Sequence, residues 1–282
     1  MNKLRVASLQ LSLKKSNNYE YINAAIRRCF KDNNDIELIV LSELAVGGAG
    51  AKDSVHNLEK YLEAFRDLAN ELNVWLIPGT FYEEINNKIY NSAPIINSNG
   101  ELVTKAQKLY PWLPYEKHVE HADNICTFTI PGKGCIGVHI CYDLWFPETS
   151  RALAMAGAEL IINPTLTPTK DRDIETLMVR TTAAQQQLYY IDVNSCGDQG
   201  CGHSIAADPS GDILYKSDAN EDIFIIDIDF NKARDSRING FMGLGQNLKS
   251  FRDKPFNRSL ENANNKYLDS LGNLDIKNKE NK

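Results

Sequence analysis

The sequence predicts an α/β protein with two layers of strand and helices on their outer faces. Three observations predict it. Near-continuous apolar runs, such as Ile36-Glu37-Leu38-Ile39-Val40-Leu41, mark strands buried on both faces. Segments with helical apolar spacing alternate with such runs at both ends of the chain. Between them lie strand pairs joined at turn-forming residues, Asn86-Asn87 and Pro131-Gly132.

The elements follow in order. Residues 4–10 form a first strand. Over residues 19–30, Tyr19, Ile22, Ala25, Ile26 and Phe30 make one face of a helix. The buried strand at 36–41 ends in Ser42-Glu43-Leu44, then Gly47-Gly48-Ala49-Gly50. A helix from about 57 to 73 carries Leu58, Tyr61, Leu62, Phe65, Leu68, Ala69 and Leu72 on one side. Strands are expected at 74–82 and 89–96, the second ended by Asn99-Gly100. A loop rich in aromatics and prolines leads to a strand pair at 126–130 and 134–140. Pro147, with its fixed φ, suits the first turn of a helix that continues over 148–156. A buried strand at 159–163, a helix at 173–187 and a strand at 189–194 come next. Strands at 204–208 and 213–216 flank Pro209-Ser210-Gly211, and 222–228 is the last strand. Beyond about 257 the chain is polar and rich in Asn and Lys. This divides it into one domain over 1–256 and a mobile or partner-draped tail over 257–282.

Composition limits the functions to consider. A chain of 282 residues can bury a full core, and 43% hydrophobic with 24% charged residues is ordinary for a soluble protein. The net charge of −6 argues against an extended nucleic-acid or anionic-membrane surface. No apolar run approaches membrane-spanning length. The first apolar stretch, with Lys3 and Arg5, reads as a strand and not as an export signal. Six cysteines in such a chain point to reduced thiols in the cytoplasm.

The stretch Gly137-Val138-His139-Ile140-Cys141-Tyr142-Asp143-Leu144-Trp145-Phe146-Pro147-Glu148 places a thiol at a strand-to-helix turn. Backbone N–H groups there would stabilise a thiolate and later an oxyanion, making Cys141 a nucleophile. The alternative is a buried cysteine acting as a small hydrophobe. Glu43 ends a buried strand, where burial would raise its pKa as a general base requires. The alternative is a solvated or capping glutamate. Lys108 and Glu116 lie in Lys108-Leu109-Tyr110-Pro111-Trp112-Leu113-Pro114-Tyr115-Glu116, a stiff half-apolar loop. Lys108 could steady an oxyanion with Glu116 aiming it, or the two form an ordinary loop ion pair. His139 could in principle serve Cys141 as in papain-like hydrolases, but two residues of separation do not suit an in-line approach. Cys196, Cys201 and His203 fit no common zinc spacing. The glycine run at 47–50 lacks the ending of a phosphate loop.

Taken together, Glu43, Lys108 and Cys141 in His-Ile-Cys-Tyr-Asp-Leu-Trp-Phe-Pro-Glu resemble the nitrilase, or carbon–nitrogen hydrolase, superfamily. The resemblance runs from Leu4 to about Asp253. It takes in Arg180, Ala183, Asn194, Gly197, Gly202-His203-Ser204 and Asp208-Pro209-Ser210-Gly211. The pattern of Lys108, Pro111, Trp112, Pro114 and Glu116 is most similar to the aliphatic amidase and formamidase branch. The resemblance implies a four-layer α-β-β-α sandwich that pairs as a homodimer or assembles further. It implies Cys141 as nucleophile, Glu43 as general base, Lys108 with the Tyr142 N–H as oxyanion holders, and Glu116 as a second, orienting glutamate. Tyr142, Trp145 and Trp112 would contact the substrate. It implies no metal or organic cofactor. The expected reaction is hydrolysis of a small linear amide to an acid and ammonia through a thioester. The alternatives are an N-carbamoyl amide hydrolase, a nitrilase, or a non-catalytic small-metabolite-binding or assembly subunit. Three departures stand out: Ser42 replaces a common proline, Gln185-Gln186 replaces an acid–amide pair, and Trp145 stands where many relatives carry Arg. An indole cannot pair with a carboxylate, so Trp145 weighs against N-carbamoyl amino acids.

Overall fold

The computed structural model describes residues 3–48, 57–113, 115–240, 242–254, 266 and 269–272. Two large sheets dominate these residues. The first runs in the order Asp222–Asp229, Lys3–Gln10, Leu38–Leu41, Trp75–Ile77, Lys88–Ile96, Phe81–Ile85, with Leu102–Gln107 also paired to Lys88–Ile96. The second runs Ile213–Lys216, Ile205–Ala207, Tyr189–Val193, Leu160–Pro164, Cys135–Val138, Cys126–Thr129. The centre of each sheet is parallel: Lys3–Gln10, Leu38–Leu41 and Trp75–Ile77 in one, Cys135–Val138, Leu160–Pro164 and Tyr189–Val193 in the other.

The continuous apolar runs have a direct cause. Side chains alternate across a strand, and here both faces are covered. Val6, Leu38, Val40 and Ile95 meet Ile136, Val138, Ile162 and Ile191 in a layer between the sheets. Their neighbours Ala7, Leu9, Ile39 and Leu41 face outward beneath the helices Tyr19–Asp32 and Asn57–Leu72, packed by Ile22, Ile26, Phe65 and Leu68. On the far side, Ile161 and Tyr190 lie beneath Pro147–Met155 and Arg172–Gln186, through Leu153, Ala154, Val179 and Ala183. Three apolar layers separate four structural layers, the α-β-β-α arrangement expected.

The structure differs from the sequence reading in places that matter. The strand expected at 74–82 is two strands, Trp75–Ile77 and Phe81–Ile85. Gly79 breaks it, with φ +85°, and a Cβ there would lie 2.2 Å from the Ser42 carbonyl oxygen. Only glycine allows that approach, just beneath Glu43. The strand Leu102–Gln107 was not anticipated, because only Ala106 in it is buried and the alternation is faint. The helix Phe230–Asn239 also buries little, Phe230 and Ala233, and starts where the Asp229 carboxylate accepts the Asn231 N–H at 3.1 Å. A short helix, Asn247–Asp253, buries no residue. The Pro147 expectation holds: proline opens the helix Pro147–Met155. Pro114, the end of the glycine run at 49–50, and nearly all of the tail at 257–282 lie outside the described residues.

Candidate active site

The two loops that carry Glu43 and Cys141 leave the carboxyl ends of parallel strands, one in each sheet. Open α/β sheets bind ligands at this end. Glu43 lies two residues past Leu38–Leu41, and Cys141 three past Cys135–Val138. The Glu43 N–H donates to the Thr165 carbonyl at 3.1 Å, joining the loop of one sheet to a loop of the other. Both turns are tight. Leu44 has φ 49° and Cys141 φ 50°, left-handed conformations that cost a residue with a Cβ about 1–3 kcal/mol. Cys141 opens a single 3-10 turn, Cys141–Trp145, before the helix begins.

Lys108 follows Leu102–Gln107, and its N–H donates to the Asn91 carbonyl at 2.9 Å. Its Nζ lies 2.9 Å from Glu43 Oε1 and 2.8 Å from Glu116 Oε2. All three side chains are buried. Asn91 Nδ2 donates to Glu43 Oε1 at 2.8 Å. Glu116 accepts the Trp112 N–H at 2.6 Å and the Tyr82 hydroxyl at 3.2 Å. The Cys141 side chain neighbours Glu43, and its Sγ lies 3.9 Å from the Leu166 carbonyl oxygen.

The charges follow from these contacts. Burial raises the Glu43 pKa above the usual carboxylate range, against the pull of Lys108. Burial also opposes ionisation of Glu116, but Lys108 and the hydrogen bonds to it prevail and hold it low. For Lys108 burial disfavours the charge, and the surrounding Glu43, Cys141 and Glu116 outweigh it, so the ammonium is strongly retained. The thiol of Cys141 is pushed well up by burial and by the Glu43 charge. Burial and the Glu43 charge thus act against a resting thiolate at Cys141, opposite in sense to the donors expected from the turn.

The thiol faces a pocket of about 210 Å³. Trp112, Tyr142 and Trp145, the three substrate contacts expected from sequence, all line it, together with Leu166 to Thr169, Asp171 and Glu175. Trp145 Nε1 donates to Glu175 Oε1 at 3.2 Å. The Glu175 carboxylate also pairs with Arg172, 3.2 Å away and fully buried, and Arg172 lies 2.5 Å from Asp192. His139 does not serve the thiol. Its ring bonds the Tyr190 hydroxyl at 3.0 Å, and burial drives its pKa down to about 3. Cys196 sits in a two-residue strand beside Ser12–Leu13, and Cys201 Sγ lies 3.1 Å from the Thr167 carbonyl oxygen. Among the described residues no three His, Cys, Asp or Glu side chains are grouped as a metal ion would need.

Sequence reasoning missed Asn91, Tyr82, Asp143 and Glu175. Asp143 had a signal, an acid between apolar residues two positions from the thiol. The other three belong to strands and a helix whose alignment with the site only the fold provides.

The geometry agrees with what known proteins say of the chain. Residues 5–238 match the carbon–nitrogen hydrolase family model. The deaminated glutathione amidase of Dictyostelium discoideum is 28% identical over 273 residues, covering 85% of this chain and 92% of that protein. The omega-amidase NIT2 of Homo sapiens is 26% identical over 271 residues, covering 89% and 94%. Among solved structures, Nit3 of Saccharomyces cerevisiae, a nitrilase-superfamily protein, superposes with a TM-score of 0.74 at 26% identity, covering 84% of this chain and 94% of that one. The chain belongs to the carbon–nitrogen hydrolase family. Within it, the protein is an enzyme, a cysteine-dependent amidohydrolase.

Proposed function

We propose that the enzyme hydrolyses a small linear amide to a carboxylic acid and ammonia through a thioester on Cys141. As sulfur attacks the carbonyl carbon, the thiol proton passes to Glu43. A base with a raised pKa beside a thiol with a raised pKa moves the proton only as the C–S bond forms. The oxyanion is met by the Lys108 ammonium and the Tyr142 N–H. Glu43 returns the proton to the leaving nitrogen, which departs as ammonia. Water then gives a proton to Glu43 and attacks the thioester, and Cys141 takes that proton back as it leaves. Glu116 keeps Lys108 charged and aimed. Trp112, Tyr142 and Trp145 wall the substrate.

The observation that carries this reading is one buried ammonium paired with two carboxylates, close to a thiol that lines a small pocket. Its test is ammonia release from short amides, with carbamoyl compounds and nitriles run beside them. Release from amides that vanishes in Cys141→Ser is the expected result. Preference for a carbamoyl compound or a nitrile would move the reaction to those classes. No release, with Cys141 unreactive to iodoacetamide, would leave a binding protein.

The same proposal takes 1–256 as one hydrolase domain carrying the tail 257–282. It places the enzyme in the cytoplasm, supported by six free cysteines. It also pairs copies through the helices beside Cys141, supported by exposed Ile174 and Leu177 on Arg172–Gln186. Light scattering that finds only monomer would remove the pairing.

A further inference from the structure

We propose that the substrate carries a cationic nitrogen, an ammonium or guanidinium, at the end remote from its amide, and that Glu175 receives it. This rests on the amide-hydrolase reading above and adds the substrate's chemical class.

The pocket beside Cys141 is acidic. Its described lining includes two carboxylates, Asp171 and Glu175, and no lysine, arginine or histidine. Glu175 is only 4% exposed, and what it lines is this pocket. Cys141 lines the same small cavity, so Glu175 lies within a short molecule's length of the reacting atom. The nearest cation, Arg172, pairs with Glu175 at 3.2 Å but does not serve it alone. It is shared between Glu175 and Asp192, and its Nη2 also donates to the His203 carbonyl at 2.9 Å. One guanidinium thus faces two carboxylates, and Asp171 adds a third acid at the rim.

Each oxygen of Glu175 has capacity left. Oε1 accepts from Trp145 and Oε2 from Arg172, and a carboxylate oxygen can accept two hydrogen bonds. Trp145 matters twice here. Its indole provides an apolar, π-rich wall suited to a cation, and its N–H fixes the carboxylate in place. A substrate ending in a carboxylate would bring like charges together inside a poorly solvated space. One ending in a methyl group would leave Glu175 facing hydrocarbon. An ammonium satisfies it. At about 210 Å³ the cavity is below the roughly 300–1,000 Å³ of drug-sized sites, so the chain between the two nitrogens is short.

The test compares three amides of equal length ending in ammonium, methyl and carboxylate. The wild-type enzyme should show the highest kcat/KM for the ammonium compound and the lowest for the carboxylate. In Glu175→Gln the ratio of ammonium to carboxylate turnover should fall roughly 10- to 100-fold. A role confined to holding Trp145 would not move that ratio. Equal or better turnover of the carboxylate compound, or an unchanged ratio in the variant, overturns the inference while leaving the hydrolase reading intact. If no amide is turned over, that reading fails, and calorimetric binding of the same three compounds to Cys141→Ser decides this one alone. Tightest binding of the ammonium compound sustains it; any other order removes it.

Discussion

The Asp143 carboxylate accepts the backbone N–H of Tyr110 at 2.8 Å, which ties the turn carrying Cys141 to the loop that begins at Lys108. Its other oxygen accepts the Ile140 N–H at 3.0 Å. Burial pushes this carboxyl up to about 7, against the pull of those N–H groups. Cys141 and Lys108 thus share a brace, and stacking of Tyr110 on Phe146, 3.6 Å between ring centres, reinforces it.

Removing the brace should be costly. Asp143→Ala strands one buried and one half-buried N–H donor, each worth about 1–3 kcal/mol. Denaturant unfolding should register a loss of roughly 2–6 kcal/mol, with Asp143→Asn losing less because one acceptor oxygen remains. Wild-type stability in Asp143→Ala would show that the brace is idle.

Lys108→Ala should lower kcat by at least about 10²–10³, the usual effect of losing an oxyanion donor. It also leaves Glu43 and Glu116 buried without their cation, so the base becomes harder to ionise. Alanine at exposed Lys117 in the same loop should change kcat little. Comparable losses in the two variants would deny Lys108 a chemical role.

The pH profile should carry the signature of Glu43. Its pKa is raised above 4.5 by burial, and a general base works only when ionised. Therefore kcat/KM should climb with pH through a value above 4.5. Lys108 is held well above 10.5, so it should cause no alkaline loss below that pH. An acid limb at or below 4.5 would assign the base to another group.

His139 should make the fold sensitive to acid. Its pKa falls to about 3 from the ordinary 6.5 because the ring is buried. Between those values the unfolded chain binds a proton that the folded chain does not. The stability from burying a neutral ring is complete above 6.5 and is lost as pH drops toward 3. The slope approaches about 1.4 kcal/mol per pH unit. Unfolding curves on either side of 6.5 should show wild type losing more than His139→Phe. Parallel losses would mean the ring is protonated in the fold.

Much of this was legible in the residues. The strand at 36–41 announced itself because both its faces are covered, so every position but one is apolar. Glu43 and Cys141 were legible as candidates because each follows a strand that the apolar pattern marks and bears a reactive group, and Lys108 because it opens a loop of prolines and aromatics. Leu102–Gln107 was not, since it sits at a sheet margin with one buried residue and periodicity cannot mark what burial does not require. The protonation state of Cys141 was also beyond reach. The turn suggested donors; only the fold supplied the burial, and then the Glu43 charge, that push the thiol pKa up. Glu175 lies on an amphipathic helix among several acids, and nothing along the chain sets it apart from Asp173.

Glu43 and Cys141 hang from opposite halves of a sandwich, and the Glu43 to Thr165 hydrogen bond is a stitch between them. The thickness of the filling then sets the reach of the proton. Thinning the filling, as in Ile162→Ala, should therefore lower turnover as well as stability, whereas trimming beneath the outer helices should lower stability alone.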